Sequence, residues 1–386
     1  MKKFLIALLS IFLLTLNASL VSAIEDPFAV PNNKYGIHII DESDLESAAS
    51  LVNSNGGDWG YVTIVISQYD RDPQKWQSIF DKMADLHLIP LVRIASIPVN
   101  NTWEKLQTEE IDTWVSFLSS LSWPTKNRYV IVGNEPNHAK EWGGKVNPAE
   151  YVTFLKEFSL AAKQNSQDYF ILPAGLDASA PNLLGYMNEE RFLQQMMLID
   201  PDIFDYIDGW VSHSYPNPAF SGEETDTGKG TVRTYQWEIA YLKSFGVDKD
   251  FPVFITETGW IHDMNGTVPI LTDTKKVGDK LKFAFENVWT DKNIVAITPF
   301  VLNYQSFPFE TFSWKDKEGN FYDFYYTVAA LPKTGGNPKR NLKPTKPLKP
   351  KAPPTLQFAS VFFNLDTHSI GNLSFNLQEA NRHKWW

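Results

Sequence analysis

The fold of this chain is decided by the stretch Tyr129-Val130-Ile131-Val132-Gly133-Asn134-Glu135-Pro136-Asn137. Its first four residues are apolar without a polar alternation, which is typical of a strand that is buried on both faces of a parallel sheet. The glycine and the proline that follow mark the end of the strand. An Asn-Glu pair therefore stands directly where a covered strand ends.

Seven further runs of the same kind lie on either side of this stretch. They are short, rich in β-branched and aromatic residues, and separated by longer stretches with apolar residues at three- and four-residue spacing. The predicted strands cover residues 35–40, 61–66, 90–94, 129–132, 169–172, 209–212, 253–256 and 295–299. The predicted helices cover residues 44–52, 73–86, 110–121, 148–164, 188–198, 234–245 and 272–288, and Asn147 followed by Pro148 is a plausible helix start.

Eight alternations of this length predict an α/β fold, a (β/α)8 TIM barrel, within residues 24–332. A doubly wound open sheet is the runner-up, but the sequence contains neither a Gly-x-Gly-x-x-Gly fingerprint nor a phosphate-binding Gly-Lys-Ser/Thr loop. The eighth helix is the weak point, because residues 307–326 are typical of an irregular hairpin. We expect that helix to be short, or to fall within 355–366.

The first 23 residues have the layout of a secretory signal peptide. Lys2 and Lys3 precede an apolar run over residues 4–16, and the small-residue site Val21-Ser22-Ala23 follows. The run is shorter than the roughly 20 residues that span a bilayer, so a cleaved signal is favoured over a membrane anchor. The sequence therefore predicts an exported protein, secreted or held at the cell surface.

A basic, proline-rich segment predicts a linker over residues 333–354. It carries seven positive charges and six prolines, and no acid occurs from 333 to 365. We expect this segment to be extended and solvated, and to be able to associate with a cell surface. Residues 355–386 form a short C-terminal segment of unknown role, which we expect either to cover the bottom of the barrel or to begin a further module.

The composition excludes several function classes. The chain has no cysteine, so thiol nucleophiles and zinc-thiolate sites are absent, and its net charge of −10 disfavours nucleic-acid binding. The histidines show no metal-binding spacing, and no Gly-x-Ser-x-Gly elbow occurs. We therefore predict no metal, no cofactor and no nucleic-acid partner.

Two acidic residues follow strands on opposite sides of the same barrel rim. Glu135 follows the fourth strand and Glu257 ends the seventh, and active sites of such barrels lie at this rim. Two carboxylates that face each other across a cleft are what glycoside hydrolysis requires, one protonated and the other ionised. Each motif alone is common, since Glu-Pro often simply ends a strand, but the combination favours catalysis.

Four further residues have predicted supporting roles. Tyr215 can donate a hydrogen bond to Glu257, His213 can bridge the carboxylates, and Arg93 at the end of the third strand can lower the pKa of Glu257. Asn134 can bind a sugar hydroxyl beside the reacting carbon.

The motifs Gly133-Asn134-Glu135-Pro136, His213-Ser214-Tyr215 and Ile255-Thr256-Glu257-Thr258-Gly259-Trp260 resemble clan A glycoside hydrolases, the cellulase-like (β/α)8 retaining enzymes. The resemblance covers about residues 33–330. It implies that Glu135 is the acid/base, that Glu257 is the nucleophile and that Asn134 binds the 2-hydroxyl. Two features depart from the clan. Gln68 stands where the second strand often ends in arginine, and the eighth strand lacks its common tryptophan.

Aromatic residues in predicted rim loops are candidates for stacking against sugar rings. Trp260 is the first candidate, followed by Tyr304, Trp142 and Trp314. The prediction is therefore an exported retaining glycoside hydrolase of a β-linked poly- or oligosaccharide. A non-catalytic carbohydrate-binding or adhesion barrel and a transglycosylase with the same residues remain alternatives.

Overall fold

The computed structural model describes residues 24–100, 102–263 and 272–341. Within these ranges, parallel strands alternate with helices as the sequence predicts. The barrel strands are β1 (Gly36–His38), β2 (Gly60–Ser67), β3 (Leu88–Ala95), β4 (Arg128–Val132), β5 (Tyr169–Pro173), β6 (Trp210–His213), β7 (Val253–Glu257) and β8 (Ile294–Ile297). The main helices are α1 (Leu45–Val52), α2 (Pro73–Asp85), α3 (Ile111–Ser120), α4 (Pro148–Asn165), α5 (Glu189–Ile199), α6 (Thr234–Ser244), α7 (Thr274–Phe283) and α8 (Asp323–Ala329).

The strands close into a barrel. Strands β1 to β5 pair in chain order in one sheet, and β6, β7 and β8 pair in another. A parallel bridge between Tyr35 and Ile297 joins β1 to β8, and the amide of Asp208 donates to the carbonyl of Ile171 (2.8 Å) between β5 and β6. The predicted (β/α)8 fold is confirmed, and the carboxyl ends of all eight strands share one rim.

Alternate residues of the strands fill the inside of the barrel, because successive side chains of a strand point to opposite faces. The other face of each strand packs against the helices. The interior residues include Tyr61, Leu91, Tyr129, Ile131, Phe170, Leu172, Val211, Phe254 and Val295, all of them buried. This packed interior leaves the rim as the place where polar groups meet.

The predicted start of α4 is confirmed in detail. The Asn147 side chain accepts a hydrogen bond from the amide of Glu150, and Pro148 occupies the first turn, where its missing N–H is not needed. The eighth helix also has a definite position. A turn bridged by Lys315 and Phe321 forms the expected hairpin, and α8 follows it at once as a helix of seven residues.

The segment after residue 332 corrects one prediction. Residues 333–341 lie against the N-terminal ends of the strands: Gly335 forms a parallel bridge with Asp58, and the Lys339 carbonyl accepts from the amide of Lys126 (2.7 Å). The Lys333 ammonium donates to the carbonyls of Val328, Ala329 and Leu331 at the end of α8. A free, extended linker from residue 333 onward is therefore wrong for residues 333–341: they remain solvent-accessible, but backbone pairing and helix capping hold them on the barrel.

Three other predictions lie outside the described residues: the signal peptide (1–23), the rest of the linker (342–354) and the C-terminal segment (355–386). Among the residues that the structure does describe, no helix combines the length and the apolar character needed to cross a bilayer.

Candidate active site

Two carboxyl groups meet at the C-terminal rim of the barrel. Glu257 is the last residue of β7, and Glu135 lies three residues beyond the end of β4. One oxygen of each carboxyl group and Nδ1 of His213 all lie within 4.8 Å of one another. Glu257 is buried and Glu135 is half-buried. The structure thus brings together the two acids that the sequence places at separate strand ends.

The backbone at Glu135 is strained. Its φ is +33°, a region that residues other than glycine rarely adopt. The amide of Glu135 donates to the carbonyl of Gly175 (3.0 Å), and its own carbonyl accepts from the amide of His138 (2.8 Å). These bonds hold the strained residue from both sides, and strain of this kind concentrates at functional sites.

Three side chains surround Glu257. Arg93 Nη1 lies 2.7 Å from Oε1, and Tyr215 donates its hydroxyl to Oε2 at 3.0 Å. His213 Nδ1 lies 3.7 Å from Oε2. Burial by itself raises the pKa of Glu257, but the positive charges of His213 and Arg93, with the Tyr215 hydrogen bond, outweigh it and hold that pKa below its ordinary value. Glu257 is therefore kept as a carboxylate. The arginine that contacts this carboxylate, Arg93, lies on β3. Gln68, which stands where clan A enzymes often have an arginine, lies in a short 3-10 turn directly after β2.

His213 connects the two acids. Its Nδ1 lies 2.8 Å from Oε1 of Glu135. Burial lowers the pKa of His213, yet the carboxylates of Glu257 and Glu135 more than compensate, so this pKa is raised. The imidazole is therefore favoured in its protonated form, which can donate a hydrogen bond from Nδ1 to Glu135.

Asn134 is held from both sides. Its Oδ1 accepts from Arg93 Nη1 (2.5 Å), and its Nδ2 donates to Oε2 of Glu141 (3.1 Å). Burial and the nearby charge of Glu135 raise the pKa of Glu141 to about 7. The predicted group of Asn134, Arg93, His213 and Tyr215 thus surrounds the two acids, with Glu141 as an additional member.

Sequence reasoning missed Glu141 and His38. Glu141 lies in the same loop as Glu135, and this shared loop was the available signal. His38 ends β1 and is fully buried, and burial together with the charge of Arg93 lowers its pKa to about 3. Its ring lies 5.1 Å from that of Phe300, which stands just after β8. A histidine at a strand end was the available signal here.

The structure corrects the prediction that three tryptophans stack against sugar rings. Trp142, Trp260 and Trp314 are 1%, 2% and 3% exposed. Trp142 packs edge-on against Tyr151, Trp314 packs against Phe324, and the Trp260 indole N–H donates to the carbonyl of Gly222 (2.8 Å). The prediction that these rings present open faces to a sugar is wrong, because their loops fold back onto the barrel and its helices.

Other aromatic rings are open at the rim. The fourth candidate, Tyr304, is half-buried, and its ring lies 5.6 Å from that of the exposed Phe309. Tyr69 follows β2, and Tyr186 lies in the loop after β5, with its ring 4.6 Å from that of His138. These rings all lie in loops that follow the C-terminal ends of barrel strands.

One group of side chains within the described residues has the donor set of a metal site: Glu135, His213 and Glu257. The guanidinium of Arg93 on Glu257 places a positive charge there, which opposes a cation. The absence of a metal or cofactor stays a prediction from the sequence.

Comparisons with known proteins add evidence on the fold. The chain matches no protein-family model and no curated protein sequence. Among solved structures it is similar to a family 128 (subgroup II) endo-β-1,3-glucanase from Pseudomonas viridiflava, with 13% identity and a TM-score of 0.50 over 78% of this chain and 98% of that one.

Two further solved structures have comparable scores. A glucosidase from Croceicoccus marinus has 12% identity and a TM-score of 0.54 over 77% of this chain and 67% of its own. A monomeric β-xylosidase from Caulobacter crescentus has 12% identity and a TM-score of 0.50 over 80% of this chain and 69% of its own. These solved structures share the fold of this chain, so the comparisons support the (β/α)8 barrel that the strand-end motifs led us to expect.

Proposed function

We propose that this protein is a retaining glycoside hydrolase that cleaves β-linked poly- or oligosaccharides. The observation that carries the proposal is the approach of the two acids, whose nearest oxygens lie within 4.8 Å. Retaining enzymes hold their two carboxyl groups roughly 5–5.5 Å apart, whereas inverting enzymes need about 6.5–9.5 Å to admit a water. The spacing of Glu135 and Glu257 supports the retaining geometry.

In the first step, Glu257 is the nucleophile. Its carboxylate attacks the anomeric carbon, and the bond from that carbon to the leaving oxygen breaks. Glu135 gives its proton to the leaving oxygen, so the aglycone departs as an alcohol. The low pKa of Glu257 supports its role as the attacking anion.

In the second step, Glu135 acts as the base. It takes a proton from water, the water oxygen attacks the anomeric carbon, and the ester bond to Glu257 breaks. The sugar leaves with its original anomeric configuration, and both side chains return to their starting protonation states. His213, at 2.8 Å from Glu135, supports this exchange because it can share the proton of that carboxyl group.

The remaining polar groups bind and orient. Asn134, half-buried beside both acids, donates to the 2-hydroxyl of the sugar whose bond is cleaved. Arg93 and Tyr215 keep Glu257 ionised and aimed at the cleft. The exposed rings of Tyr69 and Tyr186 stack against further sugar units.

We propose β-glucans as the first substrates to test, since the similar Pseudomonas viridiflava protein is an endo-β-1,3-glucanase. The signal-like residues 1–23 support export, and the basic residues 342–354 support contact with an anionic cell surface. An extracytoplasmic location suits a polymeric substrate, which does not enter cells.

The release of reducing sugar from β-1,3- and β-1,4-glucans, xylans, mannans and galactans tests the activity. We expect Glu257→Ala to lose almost all of it, while Glu46→Gln, an exposed acid on α1, retains it. Equal rates for wild type and Glu257→Ala would instead favour a non-catalytic binding barrel. Product chains longer than the substrate would identify a transglycosylase.

Azide separates the two roles. With an activated aryl β-glycoside, Glu257→Ala plus azide should give the α-glycosyl azide, because azide replaces the nucleophile. Glu135→Ala plus azide should give the β-glycosyl azide, because azide then attacks the glycosyl-enzyme. The reverse pairing would exchange the two assignments.

A further inference from the structure

Glu141 is the unexplained acid of the site. It ends a short 3-10 turn (Ala139–Glu141) in the loop after β4. Neighbouring loops hold this turn: the amide of Ala139 donates to Gly185 (2.8 Å), and that of Gly143 donates to Trp103 (2.8 Å). The position of the Glu141 carboxyl group is therefore set by the loops after β3 and β5 as well as by its own.

A continuous chain of hydrogen bonds runs from Glu141 to Glu257. Glu141 accepts from Asn134 Nδ2 (3.1 Å), Asn134 Oδ1 accepts from Arg93 Nη1 (2.5 Å), and Arg93 Nη1 also lies on Glu257 (2.7 Å). The Arg93 guanidinium only donates, and the Glu141 carboxyl group accepts from an amide N–H through an oxygen that carries no proton. The two partners therefore permit one orientation of the Asn134 amide, with its oxygen toward Arg93 and its nitrogen toward Glu141.

This orientation decides what Asn134 can offer to a ligand. With one N–H on Glu141 and the carbonyl oxygen on Arg93, the second N–H is left for the cleft. Asn134 is half-buried, and it lines a small cavity at this side of the rim together with Glu141, Arg93, Ser96, Trp103 and Glu104. If the amide were flipped, its carbonyl oxygen would face the cleft instead. The sugar hydroxyl would then have to donate its own proton to Asn134 rather than accept one from it.

We propose that Glu141 is a positioning residue that fixes the Asn134 amide so that it donates a hydrogen bond to the sugar. The inference rests on the proposed function and deepens it, because it names the group that orients the sugar-binding amide. Glu141 acts through Asn134 and touches no reacting atom.

Two variants of Glu141 separate positioning from charge. Glu141→Leu removes the acceptor, and we expect kcat/KM to fall about 10- to 100-fold, the usual effect of one hydrogen bond to a charged group. The loss should fall mainly on kcat, because contacts to the 2-hydroxyl strengthen in the transition state. Glu141→Gln keeps an acceptor oxygen and should stay within about threefold of wild type.

A double-mutant cycle of Glu141→Leu and Asn134→Ala tests whether Glu141 acts through Asn134. If Glu141 acts through Asn134, Glu141→Leu should cost less than about threefold once Asn134 is absent. Losses that simply multiply, or a Glu141→Leu enzyme as active as wild type, would overturn the inference.

The same cycle in urea unfolding has a readout that is independent of activity. If the changes in unfolding free energy caused by Asn134→Ala and Glu141→Leu do not add up in the double variant, the Asn134–Glu141 bond is supported. If they do add up, the bond is overturned. An inactive wild type would overturn the proposed function, while this second cycle would still decide whether Glu141 holds the Asn134 amide.

Discussion

A Cβ atom placed on Gly175 would lie 2.2 Å from Cδ2 of His213, so the backbone after β5 directly touches the imidazole ring between the two acids. Any side chain at residue 175 must push that ring away. Gly175 also accepts the hydrogen bond from the amide of Glu135 through its carbonyl. One glycine thus supports the strained acid and makes room for the histidine that bonds to it.

Gly175→Ala should therefore displace His213 and lower kcat/KM by more than about 100-fold, with a loss of about 1–3 kcal/mol in the free energy of unfolding from overpacking. Kinetics and urea unfolding of the purified variant measure both effects. Gly335→Ala is the matched control, since a Cβ there meets its nearest neighbour only at 3.6 Å. A fully active Gly175→Ala enzyme would show that the position of His213 does not matter.

Arg93→Ala should move the acidic limb of the pH profile of kcat/KM to higher pH. Arg93 and His213 hold the pKa of Glu257 below its ordinary value against the effect of burial. Without the guanidinium, the effect of burial is less opposed, the pKa of Glu257 rises, and the carboxyl group is protonated over a wider acidic range. Arg191→Ala, which changes an exposed arginine on α5, should leave the profile unchanged. An unshifted acidic limb in Arg93→Ala would contradict this account.

Tyr215→Phe should lower kcat/KM about 10- to 100-fold with little change in Tm, because it removes one hydrogen bond to a charged group and keeps the ring. The ring packs at 5.0 Å from Phe220 and 5.7 Å from Phe312, and these contacts remain in the variant. Steady-state kinetics and a melting curve test the two halves of the statement. A large drop in Tm would mean that the hydroxyl serves the fold instead.

Tyr186→Ala should raise KM with little effect on kcat, because an exposed ring at the rim binds the ground state and the transition state alike. Tyr186 lies against His138, whose amide is bonded to the carbonyl of Glu135. Kinetics on long and short oligosaccharides measure this, with the larger effect expected on the long ones. Tyr326→Ala, an exposed tyrosine on the outer helix α8, is the matched control and should change neither constant.

A buried acid pair away from the cleft predicts a pH effect on stability. Glu189 and Glu238 are both fully buried, and the Trp210 indole donates to Glu238 (3.0 Å). Burial raises the pKa of both, and for Glu189 the neighbouring Glu238 raises it further. The folded state therefore keeps protons that the unfolded state has lost, so their contribution to stability is full below the unfolded pKa and falls as pH rises.

Glu189→Gln removes the part of that dependence that comes from Glu189, since the amide carries no charge at any pH, and leaves the part that comes from the burial of Glu238. We expect its Tm to exceed that of wild type increasingly from about pH 5 to pH 8, whereas Glu157→Gln on the exposed face of α4 should follow wild type. Parallel melting curves of wild type and Glu189→Gln would refute the account.

The barrel was predictable because its signals are local. Every predicted strand matches an observed one to within about two residues at each end, since a strand that is covered on both faces must be apolar throughout. The two acids followed from the same logic, because the carboxyl ends of parallel strands share one rim. Asn147, Arg93 and Tyr215 also took the contacts expected of them.

The tryptophans and the start of the linker were not predictable in this way. Trp142, Trp260 and Trp314 lie in loops, and whether a loop residue is exposed depends on what the loop folds against. Residues 333–341 have the composition of a solvated segment, but their backbone finds partners at the bottom of the barrel. Partners that are distant in sequence leave no local pattern.

The sequence by itself determined the alternation of strands and helices and the two acids at the strand ends, because apolar periodicity and strand termination depend on neighbouring residues. Only the tertiary structure decided that Glu141 holds Asn134, that Gly175 makes room for His213, and that the tryptophans are buried. These relationships join loops that are far apart in the chain, and they exist only once closure of the barrel brings those loops to one rim.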